Sequence, residues 1–133
     1  MITNQKLRKY EVLKQKKSID YLFEKGRFHK DFPFFIRYAF VEDSDFIAKV
    51  IFAAPKKKFK RAVDRNRIKR LMREAYRLNK NIIYDCLKKS NRKILIHISY
   101  FDTSIAHYNI FSSKMIKFFN VICDLCNEFE KNN

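Results

Sequence analysis

The sequence predicts an α+β fold: a small sandwich with a sheet on one side and helices on the other. Three observations lead there. Residues 34–41, 46–54 and 94–101 alternate in the manner of strands, and residues 62–78 and the C-terminal stretch repeat apolar residues every three or four positions in the manner of helices. The chain has 133 residues, 47% of them hydrophobic, with fourteen Phe and seven Tyr but one Gly and two Pro. That is enough for one core and too short for two, so a single domain over 1–133 is expected. The same numbers exclude collagen-like, low-complexity and disordered classes.

Taken in order, residues 1–17 are polar and basic and read as a partly irregular arm. Ser18 is placed to cap a short helix from Ile19 to about Lys25, whose apolar edge is Ile19, Leu22 and Phe23. Gly26 follows as a helix-ending residue suited to left-handed backbone. Phe34 to Val41 forms a strand with Phe34, Ile36, Tyr38 and Phe40 on one face and Phe35, Arg37, Ala39 and Val41 on the other. Glu42-Asp43-Ser44-Asp45 reads as a turn leading into a second strand, Phe46 to Ala54, closed by Pro55. Adjacency in sequence predicts that these two strands pair as an antiparallel hairpin. A helix from Ala62 to Leu78 divides its surface. Ile68, Leu71, Met72, Ala75 and Leu78 share one side, and Asn66, Lys69, Arg70, Arg73 and Arg77 the other. Asp64 is placed to cap its first turn. Asn81 to Lys89 reads as a short helix and Ile94 to Phe101 as a third strand. Phe111, Met115, Phe118, Ile122, Leu125 and Phe129 mark a long C-terminal helix beginning near Ser104 or near Ser112. Nothing in the pattern orders the strands.

Charge sharpens the reading. The formal net charge is +16, and residues 56–73 alone carry ten basic side chains and one acidic. So dense a cluster repels itself unless an anion offsets it, which points to nucleic acid ahead of a membrane surface or an acidic protein. No apolar leader opens the sequence and no run is long enough to span a bilayer, so neither a signal peptide nor a membrane partner is expected. Cys86, Cys123 and Cys126 are odd in number and lack a second ligand pair for zinc. They read as reduced core thiols of a cytoplasmic protein.

Lys56-Lys57-Lys58-Phe59-Lys60-Arg61 joins a strand end to a helix start, and Arg65-Asn66-Arg67 and Lys69-Arg70 continue the charge along the helix. From Asn66 to Arg77 the basic face spans about 16 Å at 1.5 Å per residue, enough for several phosphates. Arginine forks pair bidentately with phosphate and lysine adds mobile charge. Asn66 suits a ribose hydroxyl or base edge. The backbone N–H groups near Ala62 suit another phosphate. Phe23, Arg37 and Tyr38 are candidates for a groove where single-stranded bases stack. No catalytic constellation stands out. Glu42, Asp43 and Asp45 read as turn residues, His97 as structural, and His29 and His107 have no evident partner.

The stretch from Lys57 to Arg77 closely resembles the signature of the bacterial ribonuclease P protein subunit: paired lysines, a short loop, Ala62-Val63, Arg65-Asn66-Arg67, Lys69-Arg70 and Arg73-Glu74, all in register. The resemblance implies a fold like the second domain of ribosomal protein S5, in the order αβββαβα, with an unusual left-handed crossover at the basic helix. It implies a protein monomer in a 1:1 complex with ribonuclease P RNA, in which the RNA catalyses hydrolysis at the 5′ end of precursor tRNA. Mg²⁺ would be held mainly by that RNA. By position, Arg65, Asn66, Arg67, Lys69, Arg70 and Arg73 would contact the RNA subunit, with Arg77 extending their face. Lys57 and Lys58 would flank the 5′ leader, with Lys56, Lys60 and Arg61 beside them. Phe23 matches a groove aromatic, Ile19 stands where the family often has a second one, and the strand tyrosine falls on Arg37 or Tyr38. Lys60 replaces a usual glycine. The rival readings are a ribosomal RNA-binding protein, a DNA-binding regulator and a protein-only nuclease.

Overall fold

The computed structural model describes residues 6–42 and 46–131. Asp43, Ser44 and Asp45 of the expected turn, residues 1–5 of the arm and the side chain of Phe129 lie outside the described residues. After a 3-10 turn at Lys9–Glu11, the elements are α1 (Lys16–Lys25), β1 (Arg27–Asp31), β2 (Phe34–Val41), β3 (Ala48–Ala53), α2 (Ala62–Asn79), α3 (Asn81–Ser90), β4 (Lys93–Tyr100) and α4 (Tyr108–Lys131).

The sheet order is β1-β2-β4-β3, with β3 parallel to β4 and the other pairs antiparallel. This corrects the expected hairpin: β2 and β3 are neighbours in sequence, yet β4 lies between them. The reason is burial. β4 is apolar on both faces, with Ile94, Leu95, Ile96 and Ile98 all buried, so it takes a central position covered on both sides. The parallel neighbours β3 and β4 then require a crossover, which α2 and α3 supply. β1, whose residues are mostly exposed, was not read as a strand and pairs at the edge.

Strand parity sends side chains into two separate clusters. Phe34, Ile36, Tyr38, Val50, Ile94, Ile96, Ile98 and Tyr100 meet α2, α3 and α4 in the main core. Ala39 and Leu95 face the other way and meet Leu13 and Leu22, with Ile19, Val41, Phe46 and Ile51 at the margin. Thus α1 covers only part of the second sheet face, where it packs on β2 and β4.

Several local expectations are corrected. α1 begins at Lys16 with Gln15 before it, so Ser18 lies inside the helix and caps nothing. Gly26 has φ −69° and ψ 152°, an extended rather than left-handed backbone. Its lack of a side chain matters for another reason: a Cβ there would collide with the Leu22 carbonyl oxygen. On α2, Tyr76 is fully buried while Leu78 is 38% exposed, so the apolar stripe is Ile68, Met72, Ala75 and Tyr76. Asp64 caps no backbone N–H; its carboxylate lies 3.9 Å from Arg61 Nε. The C-terminal helix starts between the two expected points, at Tyr108. Cys86 and Cys123 are joined in a disulfide between α3 and α4, which corrects the reading of three core thiols and removes its argument for a reducing compartment. Cys126 is buried. No described helix is long and apolar enough to cross a membrane.

Candidate nucleic-acid interface

Phe59 sits in the middle of the lysine run and explains how the run is displayed. Its ring is buried, 6.0 Å from Tyr100, and pins the loop while Lys56, Lys57, Lys58, Lys60 and Arg61 stay exposed. The Lys58 and Phe59 N–H groups both donate to the Pro55 carbonyl, 3.2 Å each, which closes the turn. Lys60 has no positive φ; among the described non-glycine residues only Asn91 does. A glycine is therefore not sterically required at position 60.

Arg65 completes the loop. Its Nη1 donates to the carbonyls of Phe59 (2.7 Å) and Lys60 (2.8 Å). Arg65 thus ties the loop to α2, with its guanidinium partly consumed inside the protein. Arg77 is also engaged: its Nη2 and Nε pair with the Glu74 carboxylate one turn earlier. That bond raises the Arg77 pKa further. The remaining members behave differently. Asn66, Arg67, Arg70 and Arg73 are exposed and Lys69 half-buried, and none of the five is bound to a described protein group. No side chain caps the start of α2, so its first N–H groups add donors beside Arg61.

A second feature lies on the sheet face that α1 leaves open. Register aligns Phe28 of β1, Arg37 of β2 and His97 of β4 in one row. The Arg37 guanidinium carbon stands 4.6 Å from the Phe23 ring centre and 4.5 Å from that of Phe28. Phe23 meets His97 edge-on at 5.0 Å. Next along the sheet, Phe35 contacts Phe28 and Phe101, with Lys30 Nζ 5.3 Å from the Phe35 ring and Lys58 Nζ 5.7 Å from the Phe101 ring. Phe23, Phe28 and Phe101 are about half exposed. The result is a floor of rings with cations along it.

Of the groove candidates, Phe23 and Arg37 are on this floor. Tyr38 is not: its side chain is 6% exposed and packs on Phe40 and Phe118 in the main core. Alternation decides this, since Arg37 and Tyr38 must face opposite ways. Ile19 is half-buried in the smaller core cluster rather than open to the groove. Phe28, Phe35, His97 and Phe101 were missed as site residues. The odd-numbered parity of β2 and β4 carried a signal for three of them, but only the pairing of β1 brings Phe28 beside them.

His97 is held neutral. Burial, then the charge of Arg37, pushes its pKa below the usual imidazole value, with a backbone hydrogen bond opposing. Its Nδ1 is buried and lacks a protein hydrogen bond. Among the described residues, no group of three or more His, Cys, Asp or Glu is placed to hold a metal ion.

Fold and surface together define a class: a basic α+β sandwich whose cationic helix and arginine–aromatic groove stand on one framework. Solved structures share that framework. The ribonuclease P proteins of Thermotoga maritima (TM-score 0.66, 18% identity, 84% of this chain and 97% of that one) and Staphylococcus aureus (0.66, 17%, 84% and 94%) superpose on it. At such identity the likeness concerns the fold. The family model described as Ribonuclease P matches residues 7–100, and the chain belongs to that family. The Ribonuclease P protein component of Porphyromonas gingivalis is 38% identical over 84 residues, covering 62% of this chain and 61% of that protein. That of Chlorobaculum tepidum is 71% identical over 35 residues, or 26% and 23%. The chain therefore spans about 61% of the length of the first of these relatives.

Proposed function

We propose that this chain is the protein subunit of a ribonuclease P that binds a catalytic RNA through α2 and the 5′ leader of precursor tRNA through the groove. The observation that carries the reading is the row Asn66, Arg67, Lys69, Arg70 and Arg73, which presents four charges with no protein partner. Charges left unpaired on a rigid helix repel one another, and a sugar-phosphate surface relieves that cost while accepting the arginine forks.

The groove suits a single strand. Phe23, Phe28, Phe35 and Phe101 offer ring faces to bases, and Lys30, Lys58 and Arg37 draw in phosphates. Such contacts discriminate weakly among bases, so a broad range of leaders is expected to bind. Lys56, Lys57, Lys60 and Arg61 lie between the groove and α2 in sequence and would neutralise phosphates crowded where leader and catalytic RNA meet. Mg²⁺ supplies the activated water when bound, and the described residues offer it no ligand cluster, which fits an ion held by RNA phosphates.

The deciding experiment mixes the chain with ribonuclease P RNA and precursor tRNA at low Mg²⁺. The chain should stimulate cleavage at the mature 5′ end and should cut nothing by itself. Absence of stimulation would favour a structural RNA-binding role, and metal-dependent cleavage by the chain alone would overturn the assignment.

A further inference from the structure

A cavity of about 310 Å³ lies between the N-terminal segment, the start of β3 and the α2–α3 junction, and shares no residue with the groove. Its one carboxylate, Glu11, is already engaged: Lys80 Nζ donates to both its oxygens (2.8 and 3.0 Å) and the Tyr84 hydroxyl donates at 2.7 Å. Glu11 and Lys80 therefore cancel, and the field left in the cavity is that of Lys6, Arg8 and Lys88. Tyr10, 66% exposed, and the exposed Asn81 complete the wall.

Position says what reaches this cavity. Lys80 follows Arg73 by seven residues and Arg77 by three, and its backbone is still helical, so it continues the same helical stripe. A strand lying along the basic face of α2 runs off the end of the helix toward Lys80. There the N-terminal segment crosses it, with the Lys6 carbonyl accepting from Lys80 Nζ at 2.9 Å. We infer that the cavity is a second RNA-contact site taking one unstacked nucleotide, its phosphate against Arg8 and Lys88 and its base against Tyr10 and Asn81. The volume is that of a small-ligand site, and the lining joins cations for a phosphate with a ring and an amide for a base. This inference rests on the reading of α2 as an RNA face.

The test has two arms. In the first, adenosine 5′-monophosphate is titrated into the isotope-labelled chain. Amide shifts at Arg8, Asn81 and Lys88 are expected, saturating in the millimolar range and lost in the Arg8→Ala/Lys88→Ala variant. In the second, affinity for ribonuclease P RNA is measured across salt concentrations. The same variant should bind about tenfold more weakly. Its log–log salt slope should be shallower by about 1 to 2, since each phosphate contact contributes about 0.7–0.9. No shift at those amides overturns the inference. Shifts with unchanged RNA affinity make the cavity a site for free nucleotide and overturn the RNA assignment. An Arg67→Ala/Arg70→Ala variant separates the levels. If it binds weakly while Arg8→Ala/Lys88→Ala binds normally, only the cavity inference fails. If it too binds normally, the reading of α2 falls and takes the cavity with it.

Discussion

Arg65 and Arg67 stand two residues apart in one motif and do different work. Arg65 spends its guanidinium on two loop carbonyls, whereas Arg67 has no described partner. Arg65→Ala should lower stability by about 1–2 kcal/mol, the low end for charged hydrogen bonds because one of the two is exposed to solvent. Arg67→Ala should leave the thermal midpoint nearly unchanged and weaken RNA binding. Equal midpoints for the two variants would show that the loop latch carries no energy. His97 gives a pH signature. Its folded pKa lies below the ordinary value, so between the two values the unfolded chain binds more protons. Stability is therefore full above about pH 6.5, the ordinary imidazole value, and falls as the pH drops below it. His29 acts in the same direction, because burial outweighs the opposing pull of Asp31. Melting at pH 7.5 and 5.5 should show a loss that is smaller in His97→Gln; an identical loss in that variant would remove His97 as a cause.

At the scale of elements, two connections hold parts distant in sequence. The N-terminal segment is anchored by Glu11, 3% exposed, on Lys80, 6% exposed. Leu13 N–H adds a 2.9 Å bond to the Val50 carbonyl at the outer edge of β3. Glu11→Ala leaves a buried ammonium without its counter-ion and should cost about 3–5 kcal/mol. Denaturant titration should place Glu11→Ala well below a Glu11→Gln/Lys80→Met double variant, which buries no net charge. The second connection is Cys86–Cys123, which closes a loop of 37 residues between α3 and α4. Cys86→Ser should lower stability by about 2–4 kcal/mol under non-reducing conditions, and the difference from the parent chain should vanish in reductant.

For the whole molecule, a net charge of +16 concentrated on one side of the crossover makes association steeply dependent on salt. Affinity for ribonuclease P RNA should drop by orders of magnitude between 50 and 200 mM monovalent salt. A flat response would argue for base readout over backbone contact. The groove should be less affected, because ring stacking persists when phosphate attraction is screened.

What was legible in the sequence is what local periodicity and charge density control. α2 was read nearly to its ends, because its apolar and basic residues separate cleanly at 3.6 per turn. The basic loop, β2 and β4 were read for similar reasons, and the motif from Lys57 to Arg77 marked the family. Where alternation was combined with pairing, the answer lay beyond local pattern. Arg37 rather than Tyr38 faces the groove because the even-numbered residues of β2 are needed in the core. β1 stayed hidden because an exposed edge strand has little apolar signature.

The sequence by itself determined the fold class, the cationic helix and the family, since each depends on residues close together along the chain. Only the tertiary structure decided that β4 divides β2 from β3, that Phe28 and His97 line up with Arg37, and that Glu11 meets Lys80 across 69 positions. Those contacts are set by which surfaces must leave water together, a property of the packed chain as a whole.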